Sequence, residues 1–207
     1  MNKLSCLYLL IVRIFLNYFK FFSILLILGS SFFPVLVRAS IEPVGSWSTD
    51  TSLPYKIANH FTLITPNTLN VITGSALTYN SHDDIIYTTP NSSGVLNSWQ
   101  YLSNKYPVKI IWGAGAENGT YHYGLGGFEE YSSSSHYSDN FVYYATNSLS
   151  WSVTKALPQR LSKGAAAIVG NYIYFSGGFT DNENVSSASK KVYYALINAD
   201  GSLGNWS

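Results

Sequence analysis

The chain has 207 residues, a length for one or two domains, of which 46% are hydrophobic and only 11% charged. Seventeen Tyr, eleven Phe and five Trp point to a β-rich interior built from aromatic slabs. The net charge is +1, yet from residue 40 onward eight Lys/Arg face eleven Asp/Glu without a basic stripe, which argues against nucleic acid as a partner, and the single cysteine, Cys6, excludes an intrachain disulfide, a Cys-ligated zinc or a thiol nucleophile from that body.

Residues 1–39 differ in kind from the rest and read as a hydrophobic helix ahead of the body. An apolar run from Leu4 to Val12 is followed by Arg13, Asn17 and Lys20, then by 17 uncharged residues from Phe21 to Val37. That is short of the roughly 20 residues a spanning helix usually needs. Val37 and Ala39 occupy the −3 and −1 positions of a cleavage after Ala39. Two readings stand, a cleaved signal peptide or an uncleaved N-terminal membrane anchor. In both, positive charge keeps the N-terminal end in the cytoplasm, so the expectation is an exported body, secreted or anchored on the extracytoplasmic side.

The body, 44–207, is punctuated by Trp47, Trp99, Trp151 and Trp206, at steps of 52, 52 and 55 residues. A period near 50 carried by short β-rich segments marks propeller blades. It divides the body into units of approximately 44–104, 105–155 and 156–207. In the first, His60–Ile64 and Leu69–Gly74 are predicted to form a hairpin, with a weakened glycine pair at Gly74-Ser75 and a third strand at Ile85–Thr88. In the middle unit the first strand is predicted at Val108–Trp112 and the second at Tyr121–Gly127. A Ser-rich loop, Phe128–Asn140, follows, then a third strand at Phe141–Ala145.

The last unit is the clearest. Gly164–Val169 is a small-residue strand, and Gly170-Asn171 reads as a tight turn because both residues tolerate positive φ. Tyr172–Gly178 is a second strand ending in a double glycine, Lys190–Asn198 a third, and the fourth contains Trp206. After the first three tryptophans come Leu53-Pro54, Tyr106-Pro107 and Leu157-Pro158. Proline fixes φ and donates no hydrogen bond, so it marks the crossover from one sheet to the next.

Gly126-Gly127 and Gly177-Gly178 after strand two, Tyr144 and Tyr194 on strand three, and Trp151 and Trp206 on strand four resemble the kelch repeat of the galactose-oxidase-like propeller superfamily. The run from Val192 to Trp206 also resembles a subtype found in bacterial surface proteins. The resemblance implies an all-β fold, a β-propeller of four-stranded antiparallel blades with about three present. These glycines and aromatics then serve the packing of blade on blade. Closed propellers have 4–8 blades, so three units plus a lone strand at Val44–Thr49 suggest a longer protein, or incomplete rings that assemble.

Galactose oxidase's copper site needs a cysteine joined to tyrosine, which this body lacks, and no cofactor is expected. Asn198–Trp206 echoes the sialidase Asp-box with the wrong spacing and reads as a turn. The one cluster of titratable groups is His122, Glu129, Glu130 and His136, with Asp139, around the Ser-rich loop. Loops at a propeller face could converge there on a ligand, although no metal-ligand spacing is matched. Asp83-Asp84 and Asp181-Asn182-Glu183 are expected as polar loop fillers in the other units. The resulting expectation is a non-enzymatic module that binds protein or glycan through loops on one face. The alternative is a carbohydrate-active enzyme such as a sugar epimerase, like the kelch-type sialic acid mutarotases.

Overall fold

Each of the three repeat units folds into a four-stranded antiparallel meander, and a smaller sheet is inserted in the middle one. The computed structural model describes residues 48–75, 81–132, 135–180 and 185–207. The N-terminal helix expected over 1–39, Trp47 and the acidic run at 181–183 lie outside those residues, as does most of the strand expected at Val44–Thr49.

The first sheet contains β1 (Phe61–Ile64), β2 (Leu69–Ser75), β3 (Ser81–Thr88) and β4 (Gln100–Tyr101), in that order. Next come β5 (Ile110–Ile111), β6 (Ala114–Glu117), β7 (His122–Leu125), β8 (Phe128–Ser132), β9 (Ser135–Ser138), β10 (Val142–Ala145) and β11 (Ser152–Val153). Of these, β6-β7-β10-β11 make the second meander, while β5, β8 and β9 form the inserted sheet. The third meander is β12 (Ala165–Val169), β13 (Tyr172–Ser176), β14 (Val192–Ile197) and β15 (Leu203–Trp206). A 3₁₀ turn, Val185–Ser187, is the sole helical element among the described residues.

Two expectations for the middle unit are corrected. Its first strand is not Val108–Trp112 but Ala114–Glu117, and the Ser-rich stretch is the hairpin β8–β9 with Phe128 and Glu129 paired to Ile111 and Ile110. Packing explains the choice. β6 lies between β1 and β12, the first strands of the neighbouring sheets. A Cβ on Gly115 would stand 2.7 Å from the Phe61 ring. Only a strand of small residues fits there, whatever its intrinsic β-propensity.

The first strands all begin at one end of the body, the leading end, and turn into the second strands at the other, the hairpin end. The second strands return to the leading end at Gly126-Gly127 (φ 55° and 113°) and Gly177-Gly178 (φ 68° and 90°). In the first sheet the equivalent pair is Thr73-Gly74 (φ 58° and 109°) rather than Gly74-Ser75. Gly126 and Gly177 donate to the carbonyls of Phe141 and Lys191, and Gly127 and Gly178 accept from the amides of Asp139 and Ser189. Both glycine pairs thus make the same turn. At the β12–β13 turn Gly170 alone has positive φ (58°), the pattern of a type II′ hairpin.

Two cores separate the three meanders. Phe61, Leu63, Ile72 and Ile85 meet Tyr106 and Ile110 between the first and second. Tyr123, Leu125 and Val142 meet Leu161, Ile173 and Phe175 between the second and third. Each such side chain, fully buried, contributes about 1.5–3 kcal/mol. Tyr106 and Leu157, the residues before the crossover prolines, are both 2% exposed and donate their amides to the carbonyls of Asp83 and Asn140. The crossover residue is therefore a plug between sheets, and Gly124 leaves room for the Tyr106 hydroxyl, 2.3 Å from where a Cβ would lie.

The repeated tryptophans fasten the outer strands. Trp99 Nε1 donates to the Thr51 carbonyl (3.1 Å) and Trp206 Nε1 to that of Lys155 (3.0 Å). Beside them, Leu96 donates its amide to Asp50 Oδ2 and Leu203 donates to Thr154 Oγ1. Trp151 departs from the pattern. Its indole N–H is buried without an acceptor, and its ring packs on Tyr106 at 5.0 Å between centroids.

Candidate functional site

At the leading end three backbone positions form a ladder. Asn59, Trp112 and Lys163 each stand two residues before a first strand, and each has positive φ, 60°, 57° and 57°. The Lys163 amide donates to the Trp112 carbonyl, and the Trp112 amide donates to the Asn59 carbonyl, both at 2.9 Å. A left-handed conformation costs a non-glycine residue roughly 1–2 kcal/mol. Three such residues at one structural position therefore require compensation, and the ladder bonds with the close first strands supply it.

The side chains of the ladder converge. Lys163 Nζ lies 3.7 Å from the Trp112 ring centroid and 5.9 Å from that of Phe179. Phe128 meets Trp112 edge-on at 5.3 Å. Lys163 is exposed and Trp112 half-buried. An indole next to an ammonium offers an apolar plane beside a charged donor. That combination suits the apolar face and hydroxyls of a sugar ring, or an aromatic or acidic side chain of a protein.

A second group lies beside it on the first sheet. His82, paired with Gly74 across β2–β3, holds its ring 5.1 Å from that of Tyr55. His82 Nδ1 is 3.6 Å from Asp84 Oδ2, and Lys105 is bonded to Asp84 and 3.8 Å from Asp83. The Tyr55 hydroxyl and His82 Nε2 are buried without a hydrogen-bond partner. Burial, with Asp84 nearby, pushes the Tyr55 phenol up to about 12. The hydrogen bond to Asp84 raises the Lys105 ammonium. His60, next to the ladder, is lowered by burial. Asp83 and Asp84, expected in a loop, sit within β3.

The cluster expected from the sequence divides. His122 begins β7 at the hairpin end, fully buried, with Nδ1 3.3 Å from Glu117 Oε2 and Nε2 2.8 Å from Asn147 Oδ1. Glu129 lies in β8 beyond Gly126-Gly127, near the leading end, so the two do not meet. Glu130 and His136 are cross-strand neighbours in β8–β9 by backbone register. Asp139 is buried, and its Oδ1 accepts from the amides of Asn140 and Phe141, a turn-holding role. Asp200 likewise accepts from the Ser202 amide and hydroxyl, which lowers its carboxyl and makes the Asp-box echo a turn. Among the described residues no group of three or more His, Cys, Asp or Glu is placed to hold a metal ion.

Sequence reasoning missed the ladder because its three residues, Asn, Trp and Lys, have only their conformation in common. The one available signal was position, since each lies just ahead of a first strand.

Among solved structures, a structure of YjhT matches with a TM-score of 0.60 and 15% identity, over 75% of this chain and 47% of that one. The chain thus spans about half the length of YjhT. No family model matches the chain, and no curated protein does. At this identity the likeness concerns the fold alone.

Proposed function

We propose that the three meanders are blades of a kelch-type β-propeller, exported by the N-terminal segment and acting as a non-enzymatic module that binds protein or glycan. The first strands lie side by side, as blades around an axis require, and the glycine pairs and crossover plugs recur from unit to unit. The fold likeness to YjhT is compatible with this architecture. The observation that carries the binding role is the Lys163 ammonium over the Trp112 indole, held at the leading end by the backbone ladder. Phe128, the first residue of β8, meets the Trp112 ring edge-on and bounds it on one side.

The test is a glycan array run beside capture of extracellular proteins, with the full chain and its Trp112→Ala and Lys163→Ala variants. Binding lost in both variants supports the reading, and binding indifferent to both overturns it. The carbohydrate-active alternative draws on the unpartnered His82 Nε2 and Tyr55 hydroxyl beside Asp84. A sugar mutarotation assay separates the two readings, because turnover abolished by His82→Asn would replace binding with catalysis.

A further inference from the structure

The turn between β6 and β7 holds the chain's sole Asn-Gly pair, Asn118-Gly119. Both residues are exposed, and Gly119 has φ 84° with nothing within 4 Å of where a Cβ would stand. Asn118 Oδ1 accepts from the Thr120 amide at 3.1 Å and from the Tyr121 amide at 2.9 Å. The Gly119 amide donates to no group among the described residues. A carboxamide is thus set beside a free backbone nitrogen, with two donors on its oxygen. That oxygen takes up negative charge when its carbon is attacked, and donors aimed at developing charge are the arrangement of an oxyanion hole.

Two other turns lack one part each of this arrangement. Asn91 Oδ1 accepts from the amides of Ser93 and Val95, at 2.9 and 3.1 Å, in an exposed turn. The residue that follows it is Ser92, whose Cβ crowds the approach that Gly119 leaves open. Asp200-Gly201, the one Asp-Gly pair, has the glycine without its freedom. Gly201 is buried, its amide donates to the Asn198 carbonyl at 3.0 Å, and a Cβ on it would stand 2.4 Å from the Tyr121 ring. Among the described residues only Asn118 combines a carboxamide, a held oxygen and an unhindered nitrogen next to it.

We infer that Asn118 is a site of self-modification, at which the folded chain converts its own carboxamide with water as the sole co-reactant. The Gly119 nitrogen gives up its proton to water and bonds to Asn118 Cγ. The Cγ–Nδ2 bond breaks, and Nδ2 takes a proton from water and leaves as ammonia. Water then opens the cyclic imide. Opening at Cγ gives aspartate, and opening at the α-carbonyl gives isoaspartate, in which the main chain runs through the former side chain. Ammonia is exchanged for water and nothing is oxidised or reduced. The effect falls on the junction with the third sheet. Tyr121, whose amide Asn118 holds, donates its hydroxyl to the Ala199 carbonyl at 2.7 Å. An isoaspartyl link lengthens the turn and releases that amide, so the hairpin end loosens with age while the ladder at the leading end stays intact. The chemistry is independent of the binding role.

The test is incubation of the full chain at neutral pH, folded and in urea, followed by peptide mapping and enzymatic methyl labelling of isoaspartate. The expected result is conversion at Asn118 at least as fast in the folded chain as in urea, with Asn91 and Asp200 unchanged over the same period. Labelling of this turn is lost in Asn118→Ser, which keeps a turn-holding oxygen and has no carboxamide. In the converted folded chain the Tyr121 amide exchanges its hydrogen faster, while those of Trp112 and Lys163 keep their protection. Slower conversion in the folded chain than in urea overturns the inference, because the two donors would then hold the carboxamide away from the Gly119 nitrogen. Equal conversion at Asn91 also overturns it, and unchanged exchange at Tyr121 overturns the loosening.

Discussion

Lys163 binds Trp112 twice, through its amide to the Trp112 carbonyl at 2.9 Å and through its ammonium 3.7 Å from the indole centroid. The first contact joins neighbouring sheets where their first strands begin. The second sets an exposed ammonium against a half-buried indole at the same junction. One backbone position thus serves both the architecture and the site.

The turn after each second strand is open to test because its three versions differ. Thr73 has φ 58° and a buried hydroxyl without a partner, where the other units have Gly126 and Gly177. Thr73→Gly relieves a left-handed β-branched residue and an unmet hydroxyl while leaving a methyl-sized void. The expected net is stabilisation by about 1 kcal/mol in urea unfolding. The reverse change separates the glycines. Gly126→Ala sets a Cβ 2.3 Å from the Leu161 carbonyl oxygen, whereas Gly177→Ala meets nothing closer than 3.7 Å. Gly126→Ala is the more damaging, by about 2 kcal/mol or more. Equal losses would show that conformation alone, and not close approach, selects glycine here.

The tryptophans are equivalent in spacing but not in bonding. Trp99→Phe and Trp206→Phe each remove an indole hydrogen bond to a neighbouring segment. Trp151→Phe removes an N–H that has no acceptor. Lost ring area is common to all three, so Trp151→Phe is expected to cost about 1 kcal/mol less than the others. Denaturant midpoints of the three variants check the difference.

How much of this was legible in the sequence follows from what each residue type can report. The alternation in β12–β14 and the glycine pairs were readable because local chemistry dictates them. The middle unit misled because Val108–Trp112 has the apolar character of a strand and Ala114–Glu117 does not. The smaller residues win there through proximity to β1 and β12, a tertiary demand that no local window contains. His122 and Glu129 were grouped by nearness in sequence, yet the length of β7 carries them to opposite ends. The Trp112–Lys163 pair was invisible because 51 residues separate the partners.

Two ionisable groups at the leading end contribute opposite limbs to the pH response. His60 is lowered from 6.5 by burial, so the folded protein holds fewer protons than the unfolded chain once the pH falls below that value. Stability is present above 6.5 and declines as acid titrates through the lower folded value, and His60→Gln flattens that limb. Tyr55 is raised from 10.0 to about 12, so the unfolded chain ionises first. The stability Tyr55 contributes is complete below 10.0 and falls as the pH rises toward about 12, and Tyr55→Phe removes that share, leaving the part due to Tyr106 and Tyr123, whose phenols burial also raises. Thermal unfolding across pH, on each variant and the parent, measures both slopes.

The most direct test of the account is amide hydrogen exchange at Trp112 and Lys163. Both residues precede strands, and neither amide would be protected were its segment an ordinary loop. If the three sheets stand side by side around a shared ladder, both amides exchange as slowly as those of β6 and β12. Exchange at the rate of exposed loops, with β6 and β12 still protected, would contradict the ladder and the propeller reading built on it.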